Sequence, residues 1–588
     1  MTDAVNTQSS TGSRRVPGLL LVVCCLLSYV ALAIALTWPL VRELDTAVAD
    51  HGDPLLNAWI IDWNCHALSH DPLHLFDAPI FRPAEFPLAF SEHMTGVALL
   101  VLPFHLAGFS AVATYNIALL ISFALSGFGM FLLARLISGD TIASFAAGVF
   151  YAFVSFKFDH LSHVQIIASG WIPLTLAALL LFWRSGSAKH AALFTIAFVM
   201  NGLTNVYWLL FTGVAVVATI VFLHLVRPFQ VRRLAVALVA SFLLLLPFLI
   251  PYQVVSKTYR MRRNSMESTQ GSASWQDWIG ASPSSLLYGS MSGRPERRIF
   301  PGFLALALLL YGVLSSRPRI DPSIRIRKPL AIAALLLLLA GCVLLRWHKS
   351  DVAFMPAVLL AIAAIPFRKY VVRAELWVAS LWIAIGFAGS FGEHSFLHSF
   401  LFRVFEPMRA TRSPARWAII AYCGLGIWMA VSASRLPRLR FAVLALSIIE
   451  VLPRFTWQHV PRELPPVYAW LASARPSCMI ELPVGWDERE ASYLLASTRH
   501  RIPTMNGVSG FDPPVHELLR IHRYDDAMLD VIAKNGATVV VIHPEAAEKA
   551  RKWIDSGRLR ELVRFPDGDA VYSITRAEPA GSASAPRG

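Results

Sequence analysis

Apolar runs close to the thickness of a bilayer recur along this 588-residue chain, and no other feature restricts its fold so tightly. The first covers residues 16–40. Twelve more follow, at 113–136, 142–156, 164–183, 191–206, 209–226, 234–252, 300–314, 330–345, 352–367, 376–391, 416–433 and 441–452. A further run, 95–109, is short, broken by Pro103 and too close to its successor for two full spans to turn. It is expected to be a re-entrant or interfacial lead-in. The first run is too long for a signal-peptide core and is expected to be retained. The reading is an α-helical polytopic membrane protein with about thirteen transmembrane helices.

Composition agrees. Only 15% of the residues are charged and 55% are hydrophobic, where soluble domains carry about 25% charge. The net charge of +14 does not mark a nucleic-acid module, because the basic residues sit in short clusters between apolar runs. Arg14, Arg15, Arg135, Arg184, Lys189, Arg227, Arg232 and Arg233 fall in alternate loops, as do the later clusters near 317–328, 368–373 and 435–440. That bias predicts a cytoplasmic tail, 1–16, and a membrane domain, 17–452. The first outside loop would be 41–95, followed by an extracytoplasmic α/β domain, 453–577, and a disordered tail, 578–588. In the α/β part, 478–482, 537–543 and 570–574 read as strands, with helical patterns at 515–520, 527–534 and 545–555. Four of the six cysteines lie in apolar runs; no CxxC or Cys/His zinc spacing occurs, and Cys65 and Cys478 are the two that would lie outside.

The first outside loop is the compositional outlier. Residues 49–93 hold Asp50, Asp53, Asp62, Asp71, Asp77, Glu85 and Glu92 against a single Arg82. Asp53-Pro54 opens LLNAWIIDW, which reads as an amphipathic helix lying at the interface. Asp53 is then either the N-cap of that helix or, with Asp50 beside it, a base toward an acceptor hydroxyl. Asp62, His66 and His70 follow at i, i+4 and i+8, a spacing that suits a hydrated face or a divalent metal. Glu92-His93 stands at the lip of the short run. KFDHLSH places Asp159, His160 and His163 in the next outside loop, as cavity residues or as wet loop.

Two outside loops break the charge rule. Residues 252–298 include Arg260 and Arg263, and RVFEPMRATRSPARW includes Arg409, Arg412 and Arg416. In the second, Ser413 can cap and Pro414 can start the next span, so a positive helix N-terminus is expected there. The arginines, at spacings of three and four, converge if the approach is helical. Guanidinium forks at a helix N-terminus suit phosphate or pyrophosphate; the plainer account is interfacial anchoring.

The long acidic first loop, the dozen or so spans and the outside C-terminal domain together resemble the GT-C superfamily of membrane glycosyltransferases. So do GDPLLNAWIIDW from Gly52, LFDAPIFRPAEFPLAFSEH and SPARW. The architecture resembles that of protein O-mannosyltransferases and aminoarabinose transferases, in a bacterial branch. The resemblance implies a sugar donor carried on polyprenyl phosphate within membrane lipid. It also implies an acid of the first loop acting on the acceptor, and basic residues on the phosphate. Asp53 matches the acid best and Asp50 second; the arginines match by role only. The WWDYG signature of oligosaccharyltransferases is absent, and no DxD occurs in the first outside loop, so N-glycan transfer is not expected. A multi-pass protein of the bacterial inner membrane is expected, with its N-terminus cytoplasmic and its C-terminal domain outside. The cofactor is open, a divalent metal included. The alternative reading is a transporter or flippase of lipid-linked saccharide. It sits less well with charge at the outer boundary, because transporters place ionisable groups within spans.

Overall fold

The structure, a computed structural model, describes residues 18–291, 293–315, 374–485, 488–522 and 524–575. The runs expected at 330–345 and 352–367, the tail 1–16 and the tail 578–588 lie outside these residues. Helices dominate the described residues, with a four-stranded sheet and a separate two-stranded pair. Seven helical segments among the described residues are long and apolar enough to cross a membrane: Leu19–Leu36, Ala111–Ser138, Thr141–Phe158, Val164–Ser185, Val206–Val226, Val231–Thr258 and Pro414–Ser434. Shorter apolar helices are Thr95–Leu106, Phe303–Leu314 and Ala374–Ser390. Thr95–Leu106 has 12 residues, about 18 Å at the usual rise, well under the roughly 30 Å of a hydrocarbon core. It leads into Ala111–Ser138 rather than spanning. The run at 164–183 is not one helix either: Val164–Ile167 and Trp171–Ser185 are separated by a break at Ala168–Gly170.

Local chemistry sets the helix limits. Ser110 Oγ accepts from Ala113 N at 3.1 Å, and Gly139, at φ 78°, ends the same helix. Asp140 and Asn205 cap the helices that follow them, accepting from Ala143 N at 2.9 Å and Trp208 N at 3.1 Å. Packing between helices uses small residues. Tyr29 of the first span fills the notch at Gly127 and Gly148, where any Cβ would collide with its ring, and its hydroxyl donates to Phe145 O at 2.9 Å.

The loops that charge assigns to one side meet at one end of the bundle. Asn57 Nδ2 donates to Ser162 O, Ala273 N to Ser390 O, Arg263 N to Arg409 O and Leu286 N to Leu452 O. The basic loops gather at the other end, where Arg184 pairs with Glu375 at 2.7 Å and Arg440 with Asp140 at 3.4 Å.

The C-terminal sheet runs β3 (Met479–Leu482), β4 (Val539–Ile542), β6 (Ala570–Ile574), β5 (Leu559–Arg564), with β3–β4 parallel and the other pairs antiparallel. Its core side chains include Ile480, Val540 and Trp553. This domain is fastened to the first loop at several places. Strand β1 (Ala47–Val48) pairs with β2 (Gln458–His459). Thr504 runs beside Met479 at the edge of β3 and ties the loop to it by backbone hydrogen bonds: Thr504 N donates to Pro79 O, Arg82 N to Thr504 O and Phe81 N to Asn506 O, each at 3.0 Å. Cys65 and Cys478 are both free and buried.

Candidate functional site

The helix that carries the first acids is Asp53–His70. It is not an amphipathic rod on an interface. Leu55, Leu56, Trp59, Ile60 and Ile61 are buried, and so are its polar residues Asn57, Asp62 and Asn64. The C-terminal domain packs on this helix: Trp59 Nε1 donates to Ser497 Oγ at 3.0 Å, and Arg501 reaches Asp62 at 2.9 Å. A reading of the local sequence cannot include a partner more than 400 residues away.

Asp53 is the first residue of this helix, and its side chain makes no capping bond. Gly52 holds the cap position; its N–H donates to Asp50 Oδ1 at 2.8 Å, and Ser162 Oγ donates to Asp50 Oδ2. Asp50 is thereby committed to the loop turn. Asp53 instead meets the KFDHLSH stretch, with Oδ2 2.8 Å from His163 Nε2 and its side chain 49% exposed. Burial pushes the Asp53 carboxyl up, but the His163 hydrogen bond and charge, with the Arg412 charge, outweigh this and hold it below the usual range.

The arginine loop is not one helix. Glu406–Ala410 and Pro414–Trp417 are short 3-10 turns with Thr411–Ser413 between them. The three arginines therefore do not converge as a helical face. Arg409 turns back to the carbonyls of Phe402 and Arg403, at 3.2 and 3.5 Å. Arg412 and Arg416 stay together, joined by a residue that sequence analysis missed, Glu296. Its carboxylate lies 3.5 Å from Arg412 Nη2 and 3.4 Å from Arg416 Nη2. Ser413 makes no cap; its Oγ donates to Glu296 Oε2 at 2.8 Å. Burial works against the Glu296 charge, yet the two guanidiniums and Ser413 hold its carboxyl well below the usual range. Arg416 is 5% exposed, its Nε is buried without a hydrogen-bond partner, and its guanidinium lies 4.9 Å from the Tyr207 ring centre. Such a guanidinium, held by one long ion pair, is under-satisfied.

The two halves form one electrostatic unit. Arg412 and Glu296 both act on Asp53, and Arg416 and Glu296 both act on His160. Glu92 completes it: Oε2 accepts from Val206 N at 2.8 Å, and Arg416 is near enough to act on its charge. Burial nonetheless pushes the Glu92 carboxyl up to about 7. His160 is 1% exposed, and burial, then Arg416 and His163, bring its pKa down to about 3.

The remaining candidates have other work. His93 is buried, held by Thr95 Oγ1 at 2.7 Å and stacked with Phe248. Asp159 pairs with Arg298 at 2.7 Å. Arg263 binds Glu267 and Gly510 O and lies 3.9 Å over Phe511, clamping the C-terminal domain; Arg260 is exposed. Asp62 is taken by Arg501 and by His105 at 3.3 Å, while His70 Nδ1 meets His66 O. Those three residues therefore do not assemble as metal ligands, and no cluster of three or more His, Cys, Asp or Glu fit for a metal occurs among the described residues.

Glu296 was hidden for a simple reason. It stands in GRPERR, where a charge count gives a basic loop and loses the single acid. The resulting arrangement offers a half-exposed carboxylate beside an imidazole, within electrostatic reach of Arg412, itself joined to Arg416 through Glu296.

No family model and no curated protein matches the chain. Among solved structures, the apo crystal structure of an Archaeoglobus fulgidus oligosaccharyltransferase aligns at TM-score 0.41 and 14% identity, covering 95% of this chain and 74% of that one. A likeness at that level adds nothing to what the residues themselves carry.

Proposed function

We propose that the chain is an integral membrane glycosyltransferase that moves a sugar from a polyprenyl-phosphate donor to an acceptor at this end of the bundle. The observation that carries the reading is the meeting of opposite chemistries at one bundle end. Asp53, held by His163, lies near enough to Arg412 and Glu296 for their charges to act on it, and Glu296 bridges Arg412 to Arg416. Displacement at an anomeric carbon needs a base for the attacking hydroxyl and positive charge for the departing phosphate. Asp53 is the base, half exposed and ionised. His163 orients it by occupying Oδ2, leaving Oδ1 for the acceptor. Arg412 and Arg416 hold the donor phosphate, and Glu296 is the carboxylate that keeps their place until it arrives. The apolar helices hold the lipid chain.

The test is Asp53→Asn, which keeps the shape and the hydrogen bond to His163 but removes the base. Transfer from a polyprenyl-phosphate sugar should fall by about 10²–10⁴-fold, the usual contribution of general-base catalysis. Full activity in a folded Asp53→Asn protein would end the assignment.

A further inference from the structure

Two imidazole nitrogens in this site have no partner. His160 Nδ1 lies 2.8 Å from Phe156 O, so it carries the proton; on the neutral ring Nε2 can then only accept, and it is buried without a hydrogen bond. His163 gives its Nε2–H to Asp53, and its Nδ1 is likewise buried and unbonded. The ring centres are 5.8 Å apart. Burying an unbonded polar nitrogen is costly; two lie close together here, and the His160 nitrogen asks for a donor from elsewhere. A phosphate oxygen cannot serve His160 Nε2, because it too accepts. A metal would lack a third ligand here. A hydroxyl both donates and accepts, so it satisfies His160 Nε2 in its one role and His163 Nδ1 in either.

We propose that His160, with His163 beside it, forms the subsite that binds a hydroxyl of the donor's sugar ring, between the Asp53 carboxylate and the Arg412–Arg416 pair. The inference rests on the glycosyl-transfer reading and adds to it where the sugar itself is read. Glu296 couples the two events. It bridges the arginines and lies near enough to His160 for each charge to act on the other, and its side chain is 35% exposed. When donor phosphate takes the arginines, Glu296 leaves toward solvent and its charge no longer acts on His160.

The experiment measures binding of the full-length protein in detergent to polyprenyl phosphate and to the same lipid bearing mannose, glucose or galactose. At least one sugar lipid should bind about tenfold tighter than the bare lipid, equivalent to about 1.4 kcal/mol. His160→Phe should lose that preference with bare-lipid binding unchanged. His160→Gln, which can present an oxygen where Nε2 stands, should recover most of it. On the wild-type protein, one position of a deoxy-sugar series should lose the preference as well, a measurement independent of any variant's folding. The subsite is overturned if no sugar lipid binds tighter than the bare lipid, if His160→Phe keeps the preference, or if every deoxy sugar binds like its parent. Failure of the wider reading looks different: Arg416→Ala would then leave bare-lipid binding unaltered.

Discussion

Two polar clusters in this molecule are built on opposite terms. In the C-terminal domain, Glu481 accepts from Tyr468 Oη at 2.9 Å and from His543 Nε2 at 3.1 Å, and His543 Nδ1 meets Asp569 at 2.7 Å. Beside it the fully buried Glu490 accepts from Gly485 N, Gly507 N and Asn506 Nδ2. Neither the His543 ring nor these carboxylates leaves a buried polar atom unbonded. At the bundle end, His160 Nε2, His163 Nδ1 and Arg416 Nε all lack partners, and the ion pairs to Glu296 are long. A completed network fixes a fold, whereas an incomplete one of similar size stores binding capacity. That difference separates two clusters that a motif search would flag alike, and it is the second, incomplete one to which the proposed function gives the chemistry.

The sharpest way to break this contrast is to cross two substitutions. Asp53→Asn should remove transfer by the 10²–10⁴-fold stated above while shifting stability by no more than about 0.5 kcal/mol, as expected for a half-exposed group. His543→Ala should do the reverse. It strands two buried carboxylates, a loss of about 3–5 kcal/mol, and leaves transfer per folded molecule nearly intact. Denaturation followed beside an in vitro transfer assay reads both. Equal losses of activity and stability in each variant would dissolve the distinction.

A smaller effect comes from pH. Burial alone would lower the His543 pKa, but its bonds to Asp569 and Glu481 outweigh that and push it up to about 9. A folded pKa above the unfolded value of about 6.5 gives stability that is complete below 6.5 and lost as pH rises through 9. Glu481, also raised, chiefly by burial, acts in the same direction at lower pH. Asp53 and Glu296 are depressed, so their contribution is present above about 4 and fades only as pH falls below it. Hydrogen exchange at β3, β4 and β6, corrected for intrinsic rates, should therefore lose on the order of 1–3 kcal/mol of protection between pH 6 and 9.5. At the bundle end Glu92, raised by burial to about 7, should give a smaller loss that is complete soon above pH 7. Unaltered protection in the strands would mean that His543 is not held as a cation.

How much of this was legible in the chain follows from the range of each interaction. Apolar runs were readable because lipid acts on every residue of a run, and seven of the thirteen expected spans fall on helical segments long and apolar enough to cross a membrane; strands β3, β4 and β6 were readable because they are mostly apolar. The strand Leu559–Arg564 was missed, since its pattern is mostly exposed and charged. Asp53 and His163 could each be singled out, but not joined, because their contact closes 110 residues of chain. The caps failed at Asp53 and Ser413 for one reason: each side chain had a distant charged or polar partner, His163 or Glu296, that competes with the local backbone. The arginine spacing misled where Thr411–Ser413 interrupts the helical path. Local rules gave way where residues from separate loops meet.

Glu296 supplies the finest test of that incompleteness. If its carboxylate holds the place of donor phosphate, Glu296→Gln leaves Arg412 and Arg416 charged but less tightly bridged, and donor binding no longer has to displace an anion. The donor KM should then fall by about threefold to tenfold with kcat unaltered, the pattern of a change in binding common to ground and transition states. Arg416→Lys should move KM the other way, because an ammonium cannot grip phosphate as a fork. Should Glu296→Gln raise KM as Arg416→Lys does, the carboxylate is organising the guanidiniums rather than competing for them. The bundle-end cluster would then be closer in kind to the Glu481–His543–Asp569 network than its unbonded nitrogens imply.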